Sequence, residues 1–397
     1  MRFPFSKYYF ALFAVIISCF MMNRPAAAQT MTLPEEIPGD TVVTAILPAA
    51  AYASDVGFLG SAIYTRFRYH PLAVPYESMT EVRVQASTKG LLDFRIRHDM
   101  TETFGSSIRS FWMLHGERYP NENYFGIGNR TPFDDDKWDD QYYFYDVIRL
   151  KAEWSSRYNL YQRDRRGGRL DLKGTISISY QDPDIADDNL LGSGNERPRG
   201  SDGGWMNTIG TGLLWENRNS EAAATRGNRA EISFDWASPW LLSDYPMATL
   251  SGDVRQYVTL PVPYFYPVLA LRMAGSRAFG SIPFWEFPHL GDEYTLRGYP
   301  QFRFRGDAAL FYNAELRTWV YQYHPWALRI GVHGFHDAGR VFHFDDGDAL
   351  DDIFNDYHRT FGFGVAGSVL TPDFILRLDV GFSDEMYRIY ANIGYMF

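Results

Sequence analysis

Cysteine is almost absent from the sequence: Cys19 is the single one among 397 residues. It lies in the apolar run near the start, so the rest of the chain can build no disulfide framework, thiolate metal site or cysteine nucleophile. After residue 28 the sequence also lacks any long apolar run. A membrane-spanning helix needs ~20 predominantly apolar residues, so the chain is not a helical membrane protein.

Positive charge is in the minority. The sequence has 38 Lys and Arg against 48 Asp and Glu, a net charge of −10. Nucleic-acid affinity comes mostly from the neutralisation of phosphates by basic side chains, so we expect no nucleic-acid partner.

Catalytic signatures are missing as well. There is no G-x-S-x-G element, and the nine histidines are scattered along the chain. His333 and His336 lie three apart on a predicted strand, so they point to opposite faces and are poorly placed to chelate a metal. We expect that the protein is not an enzyme and binds no cofactor.

The first 28 residues have the features of a secretory signal peptide. Arg2 and Lys7 precede an apolar run at 8–22, and 26-AAA-28 offers small residues for cleavage. The stretch 16-IISC-19 resembles a lipobox, which leaves lipidation of the cysteine open as an alternative. Either way the chain is predicted to be exported, and residues 1–28 are excluded from the fold.

Aromatic residues are abundant and alternation is regular in the remaining sequence. Aromatics make up 17% of the chain, a bias typical of the aromatic girdles of outer-membrane barrels. Segments such as 170-LDLKGTISISYQ-181, 230-AEISFDW-236 and 374-FILRLDVGF-382 alternate apolar with polar residues. Period two indicates strands, and polar faces with charges of both signs favour a hydrated lumen over a soluble sandwich.

The predicted fold is all-β: a transmembrane antiparallel β-barrel of about sixteen strands at 43–397, preceded by a short periplasmic segment at 29–42. Residues 154–167 are assigned to no strand. The predicted strands are 44–52, 57–69, 79–87, 91–99, 107–116, 141–153, 168–181, 205–216, 229–238, 246–259, 266–277, 306–320, 327–338, 358–369, 373–382 and 387–397.

The last stretch, 387-YRIYANIGYMF-397, ends in an aromatic pattern. Tyr395 and Phe397 resemble the C-terminal signal by which the outer-membrane assembly machinery recognises its clients, and alternation predicts that both face lipid. That machinery is therefore an expected partner, needed for the barrel's own insertion.

Acidic clusters at 134-DDDKWDD-140 and in 345–356 fall in predicted surface loops. Carboxylates can bind Ca²⁺, but the spacing fits no EF-hand loop. We interpret these clusters as solvated charge that divalent ions bridge to lipopolysaccharide, so outer-membrane lipid and lipopolysaccharide are predicted partners and no specific metal site is predicted.

Several motifs together resemble the BamA/TamA superfamily of outer-membrane proteins, also called bacterial surface antigens. The resemblance runs through nearly the whole chain in the family's order. The motifs are Pro48 with Tyr52, Ser54, Asp55 and Gly57, then 125-FGIGN-129, 215-WENRN-219 with 225-TRG-227, 290-LGDEYTLRGY-299, 315-ELR-317, 335-FHDAG-339 and 361-FGFG-364.

This resemblance implies that the extracellular loop between the eleventh and twelfth strands folds back into the barrel. Arg297 would then pair with Asp337, Gly298 would allow a tight turn, and Tyr299 would pack the tip. We call these four residues the loop lock. An arginine inside a lumen needs a carboxylate, which its planar fork binds with two donors.

The resemblance also implies a role in inserting or transporting proteins or lipids at the bacterial outer membrane, with opening between the first and last strands. Too few residues precede the first strand for a folded domain, so a barrel-only member without POTRA domains is expected, with a separate periplasmic or secreted protein as a possible partner. A passive channel for small solutes and a surface structural or adhesin barrel remain alternatives.

Overall fold

A computed structural model of the chain describes residues 41–53, 57–70, 76–103, 108–162, 168–193, 197–221, 223–323, 328–344, 355–368 and 375–397. The predicted signal peptide and most of the segment 29–42 lie outside these ranges. So does most of the acidic segment 345–356.

The described chain consists mainly of strands. They are β1 Thr41–Ala53, β2 Gly57–Tyr69, β3 Ser78–Ser87, β4 Leu92–Met100, β5 Ile108–Asn123, β6 Phe144–Gln162, β7 Arg169–Asp184, β8 Gly204–Glu216, β9 Gly227–Ala237, β10 Met247–Thr259, β11 Val268–Gly280, β12 His289–Leu290, β13 Phe304–Arg305, β14 Ala308–Tyr323, β15 Leu328–Phe342, β16 His358–Ser368, β17 Ile375–Phe382 and β18 Tyr387–Ile393. The short helices are α1 Asp135–Asp139, α2 Leu190–Ser193 and a 3₁₀ turn at Pro239–Leu241. None of the helices found in these ranges is long and apolar enough to cross a membrane.

The strands form one sheet of sixteen, in which neighbours follow chain order from β1 to β11 and from β14 to β18. The strands β12 and β13 pair separately as a small hairpin in the connection between β11 and β14. The predicted all-β class and the sixteen-stranded antiparallel sheet are confirmed.

The described residues form two compact units. One comprises those within 1–121 together with 146–152, and the other comprises those within 122–145 and 153–397. The second unit contains the loop lock, so the site is described within it.

In β14–β17 charged side chains are buried and apolar side chains are exposed, which is the reverse of the distribution in a soluble sheet. On the face that we call the inner face, Glu315, Asp337 and Asp379 are at most 1% exposed. On the opposite, outer face, Leu316 and Phe363 are 47% and 61% exposed. Exposed apolar and buried charged side chains that alternate along one strand are typical of a sheet whose outer face meets lipid.

β5 and β6 extend furthest beyond their predicted ends. β5 continues to Asn123, where 107–116 was predicted, and β6 continues to Gln162, through most of the segment 154–167 that was assigned to no strand. Polar side chains obscure the alternation in these extensions, 117-ERYPNEN-123 and 154-WSSRYNLYQ-162.

The last strand is shorter than predicted, and the orientation predicted for Tyr395 and Phe397 is wrong. β18 ends at Ile393, and Gly394 follows with φ +86°. This left-handed residue breaks the period of two. Phe397 is therefore buried with Tyr257 and Ala270 instead of facing lipid.

Candidate functional site

The connection between β11 and β14 is held against the inner face by apolar packing. Leu290, Leu296, Tyr299 and Phe304 are each at most 1% exposed, and they pack with inner-face residues of β14 and β15 such as Phe311. A long connection is stable inside a sheet only if it buries side chains and pairs its polar groups. The packed tip places the loop lock at the middle of the inner face.

Arg297 is the centre of the site and is fully buried. Its Nε donates to Asp337 Oδ2 at 2.8 Å and its Nη2 donates to Asp337 Oδ1 at 2.9 Å, which is the two-donor fork. Its Nη1 donates to Glu315 Oε2 at 2.8 Å and lies 3.5 Å from Asp379 Oδ2. The guanidinium carbon is 3.4 Å from the ring centroid of Phe335.

One loop cation thus joins three strands, because the three carboxylates come from β14, β15 and β17. The sheet register explains their convergence: Asn313 lies opposite Asp337, and its Nδ2 donates to Asp337 Oδ1 at 3.0 Å. The same amide donates to the carbonyl of Thr295 at 2.7 Å, so the loop backbone is held by the strand that supplies Glu315.

Gly298 lets the loop backbone touch the hairpin of β17 and β18. It has φ +117°, and a Cβ there would lie 2.9 Å from the carbonyl carbon of Phe382 and 3.0 Å from the nitrogen of Ser383. Its N–H donates to the Tyr390 hydroxyl oxygen at 3.0 Å, and Ser383 Oγ donates to its carbonyl at 3.1 Å. No side chain fits between these two backbones.

Tyr299 extends the contact to the turn of the same hairpin. Its hydroxyl donates to Asp384 Oδ1. Burial raises the pKa of this phenol, and the hydrogen bond to Asp384 raises it further. The structure therefore brings the four residues of the loop lock together, with the β17–β18 turn as an additional partner.

Two further arginines of the loop were missed in the sequence. Arg303 Nε donates to Glu385 Oε2 at 2.8 Å, and its Nη1 donates to Thr131 Oγ1 at 2.6 Å. Arg305 Nη1 donates to the carbonyl of Phe284 at 2.8 Å. The signal that could have found them is 302-FRFR-305, in which aromatic and basic residues alternate in a connection instead of in a strand.

Two effects act in opposite directions on the pKa of Glu385, in the β17–β18 turn. Burial raises the pKa of its carboxyl, although the hydrogen bonds from Arg303 act to lower it. The ion pair with Arg303 is short, at 2.6 Å, so the raised pKa reflects the cost of burying the carboxylate and not a missing partner.

Among the residues that the structure describes, one group has the spacing of metal ligands. Oxygen or nitrogen atoms of Asp93, His115 and Glu117, in the first unit, lie within 4.8 Å of one another. Arg83 Nε lies 3.2 Å from Asp93 Oδ1, and Arg149 Nη1 lies 3.0 Å from Glu117 Oε2. These guanidinium groups already neutralise the carboxylates, so the group is better explained as a network of ion pairs.

Comparison with solved structures identifies the fold. The structure resembles BamA from Haemophilus ducreyi lacking POTRA domains 1–3, with 13% identity and a TM-score of 0.58, over 89% of this chain and 70% of that one. It also resembles CdiB from Acinetobacter baumannii, with 12% identity and a TM-score of 0.53, over 90% of this chain and 66% of that one. For CdiB from Escherichia coli the identity is 11% and the TM-score 0.59, over 90% of this chain and 63% of that one.

The chain thus spans slightly less than two thirds of the length of the two CdiB chains. Identities this low establish the fold alone. A comparison with curated proteins finds no significant sequence match. The Omp85 superfamily domain matches residues 102–397, which is more than half of the chain, so the chain belongs to the Omp85 superfamily.

Proposed function

We propose that the protein acts in the insertion or translocation of proteins or lipids at the bacterial outer membrane. The coarser assignment, an outer-membrane barrel of the insertion or translocation type, is supported by the superfamily match and the fold. The observation that carries the finer proposal is the loop lock, because Gly298 and Tyr299 join the buried loop to the β17–β18 hairpin at the end of the sheet.

The hairpin contact suggests how the loop would act. Movement of β18 would have to break the contacts of Gly298 with Ser383 and Tyr390 and the contact of Tyr299 with Asp384. A buried donor or acceptor that is left without its hydrogen-bond partner costs about 1–3 kcal/mol. The seated loop would therefore hold the last hairpin in place until a client or partner protein compensates for these contacts.

The predicted signal peptide would export the chain, and a separate periplasmic or secreted protein would supply or receive the client. The protein would have no catalytic activity, because its task would be to change the position of a polypeptide or lipid.

The test is a deletion strain whose outer-membrane and secreted proteins are compared with those of the parent by quantitative mass spectrometry. We expect a defined set of proteins to be lost and to return with the wild-type gene. They should not return with Arg297→Ala at equal barrel abundance, whereas Arg359→Ala, at an exposed position of β16, should restore them. Unchanged fractions in the deletion strain would overturn the proposal.

A further inference from the structure

Arg277 on β11 is a cation on the outer face of the sheet. The sheet register shows its orientation: Met273, four residues earlier on the same face, lies opposite Tyr312 of β14. Tyr312 shares the outer face with Leu316, because the two are four residues apart on one strand. Arg277 therefore lies on the face whose exposed apolar side chains are typical of contact with lipid.

This guanidinium has no counter-charge in the part of the chain that the structure describes. No hydrogen bond or ion pair of the described residues involves Arg277. Its Nε is buried without a partner, whereas its two Nη atoms reach the surface. Arg272, on the inner face of the same strand, differs in this respect, because its Nε donates to Asp253 Oδ2 at 2.8 Å. The donors at the end of the Arg277 side chain are thus open to a ligand.

Two aromatic rings hold the side chain in place. The guanidinium carbon of Arg277 lies 4.7 Å from the ring centroid of Phe279 and 4.5 Å from that of Phe344. The carboxylate of Asp307 is close in sequence to this region but is engaged, since it lies 3.0 Å from His343 Nδ1 and accepts from the Phe344 N–H at 2.9 Å. The rings attract the cation, but they leave its charge without an anion.

The register also shows the level of Arg277 along the strands. The row of residues next nearest to the strand ends contains Phe279 and Trp236, which lie on either side of Ala248 and are each 43% exposed. Exposed aromatic side chains form girdles at the two surfaces of a membrane. Arg277 lies one row further from the strand ends, opposite Leu250. It is therefore at the edge of the aromatic girdle.

This end of β11 leads into the β11–β14 connection, which is predicted to be extracellular. An arginine on the lipid face is costly in the middle of a bilayer, and the cost falls toward the interface. Phosphate groups of lipids lie at that level and can supply the missing negative charge. A lone cation beside the girdle is thus explained by an anion that belongs to the membrane.

We propose that Arg277 binds a phosphate group of a phosphorylated glycolipid of the lipopolysaccharide class in the extracellular leaflet. A planar guanidinium offers paired donors that match two oxygens of a phosphate. The acyl chains of the same lipid would lie on outer-face side chains such as Met273, which is 58% exposed. This direct contact with the sheet differs from the bridging by divalent ions that was predicted for the acidic clusters.

Native mass spectrometry of the purified full-length protein in detergent tests the site, by titration with lipid A, the phosphorylated glycolipid of lipopolysaccharide. We expect wild type to bind the phosphorylated lipid saturably and its dephosphorylated form more weakly. Arg277→Gln should raise the dissociation constant for the phosphorylated lipid about tenfold, because it removes the charge that pairs with phosphate. The matched control Arg226→Gln removes an exposed arginine from the β8–β9 connection, at the other end of the strands, and should leave the constant unchanged.

Arg277→Lys separates charge from packing, because lysine keeps the charge and loses the planar contact with the two rings. It should bind phosphorylated lipid A more tightly than Arg277→Gln does, and a lysine variant as weak as the glutamine variant would count against the proposal. An excess of inorganic phosphate should not displace the lipid, since the free ion has no acyl chains.

Displacement by inorganic phosphate would show a site for the free ion and overturn the assignment to lipid. Equal binding of the phosphorylated and dephosphorylated lipids by wild type would also overturn the proposal, as would equal affinity of Arg277→Gln and wild type for the phosphorylated lipid. Arg277 would then be a packing contact between β11 and Phe344.

Discussion

At the scale of single residues, Arg297 and Asp337 form a fully buried ion pair. Two hydrogen bonds join their side chains, and the backbone N–H of Arg297 also donates to Asp337 Oδ2 at 3.3 Å. We expect Arg297→Ala and Asp337→Ala each to lower the free energy of unfolding by about 3–5 kcal/mol, because each leaves a buried charge without its partner.

A double-mutant cycle measures this coupling, with unfolding in denaturant followed for protein refolded into micelles. The double variant should lose little more than either single variant, since the two residues act as one unit. Strictly additive losses would show that the pair does not couple. Arg359→Ala serves as the control for loss of an exposed arginine.

Gly298 gives a second prediction at this scale. Gly90 has a similar left-handed φ of +98°, but a Cβ added there would meet no atom within 4 Å, whereas Gly298 is pressed against Phe382 and Ser383. We expect Gly90→Ala to cost about 1–3 kcal/mol from backbone strain. Gly298→Ala should cost about 1–3 kcal/mol more, from overpacking, in the same unfolding measurement. Equal losses would contradict the backbone contact.

Sequence reasoning reached the loop lock residues through motif resemblance, but it did not reach their other partners. Glu315, Asp379 and Tyr390 lie on separate strands, and only the relative register of the strands brings them to Arg297 and Gly298. The pairing of several strands cannot be predicted from one sequence. Alternation within a strand shows which side chains share a face, but it does not show the register of that strand against its neighbours.

At the scale of elements, Arg303 connects the segment 124–143 with the β17–β18 turn through Thr131 and Glu385. We expect Arg303→Gln to increase amide hydrogen exchange in 124–131 and in 383–386, because a neutral amide cannot replace the five-donor guanidinium. Mass spectrometry of exchanged peptides measures this, with Arg359→Gln as the matched control. Exchange that rises uniformly along the chain would instead indicate general destabilisation.

The elements were predictable to the extent that alternation was regular. β2 has the predicted bounds, whereas β12 and β13 have two residues each and leave no period to detect. The turn at Gly394 depends on one left-handed residue, and sequence alternation alone extends through it. The alternation of apolar and polar residues therefore predicts long strands well. It predicts poorly where a single residue such as Gly394 ends a strand.

At the scale of the whole molecule, we expect the β11–β14 connection, which packs against the inner face, to restrict ion flow. Wild type in planar bilayers should show small or rare conductance, and Arg297→Ala should raise its size or frequency several-fold, because the loop loses its main charged anchor. A large, steady conductance that is equal in both proteins would favour the passive channel. Asp337→Asn, which keeps the size of the side chain, should behave like Arg297→Ala.

The convergence of three strands on Arg297 has a mechanical consequence. The guanidinium of Arg297 binds carboxylates of β14, β15 and β17, so it opposes a change in the register of these strands. We therefore expect this part of the sheet to be stiff. Because this stiffness depends on Arg297, movement of the β11–β14 connection would remove it without breaking a backbone hydrogen bond of the sheet.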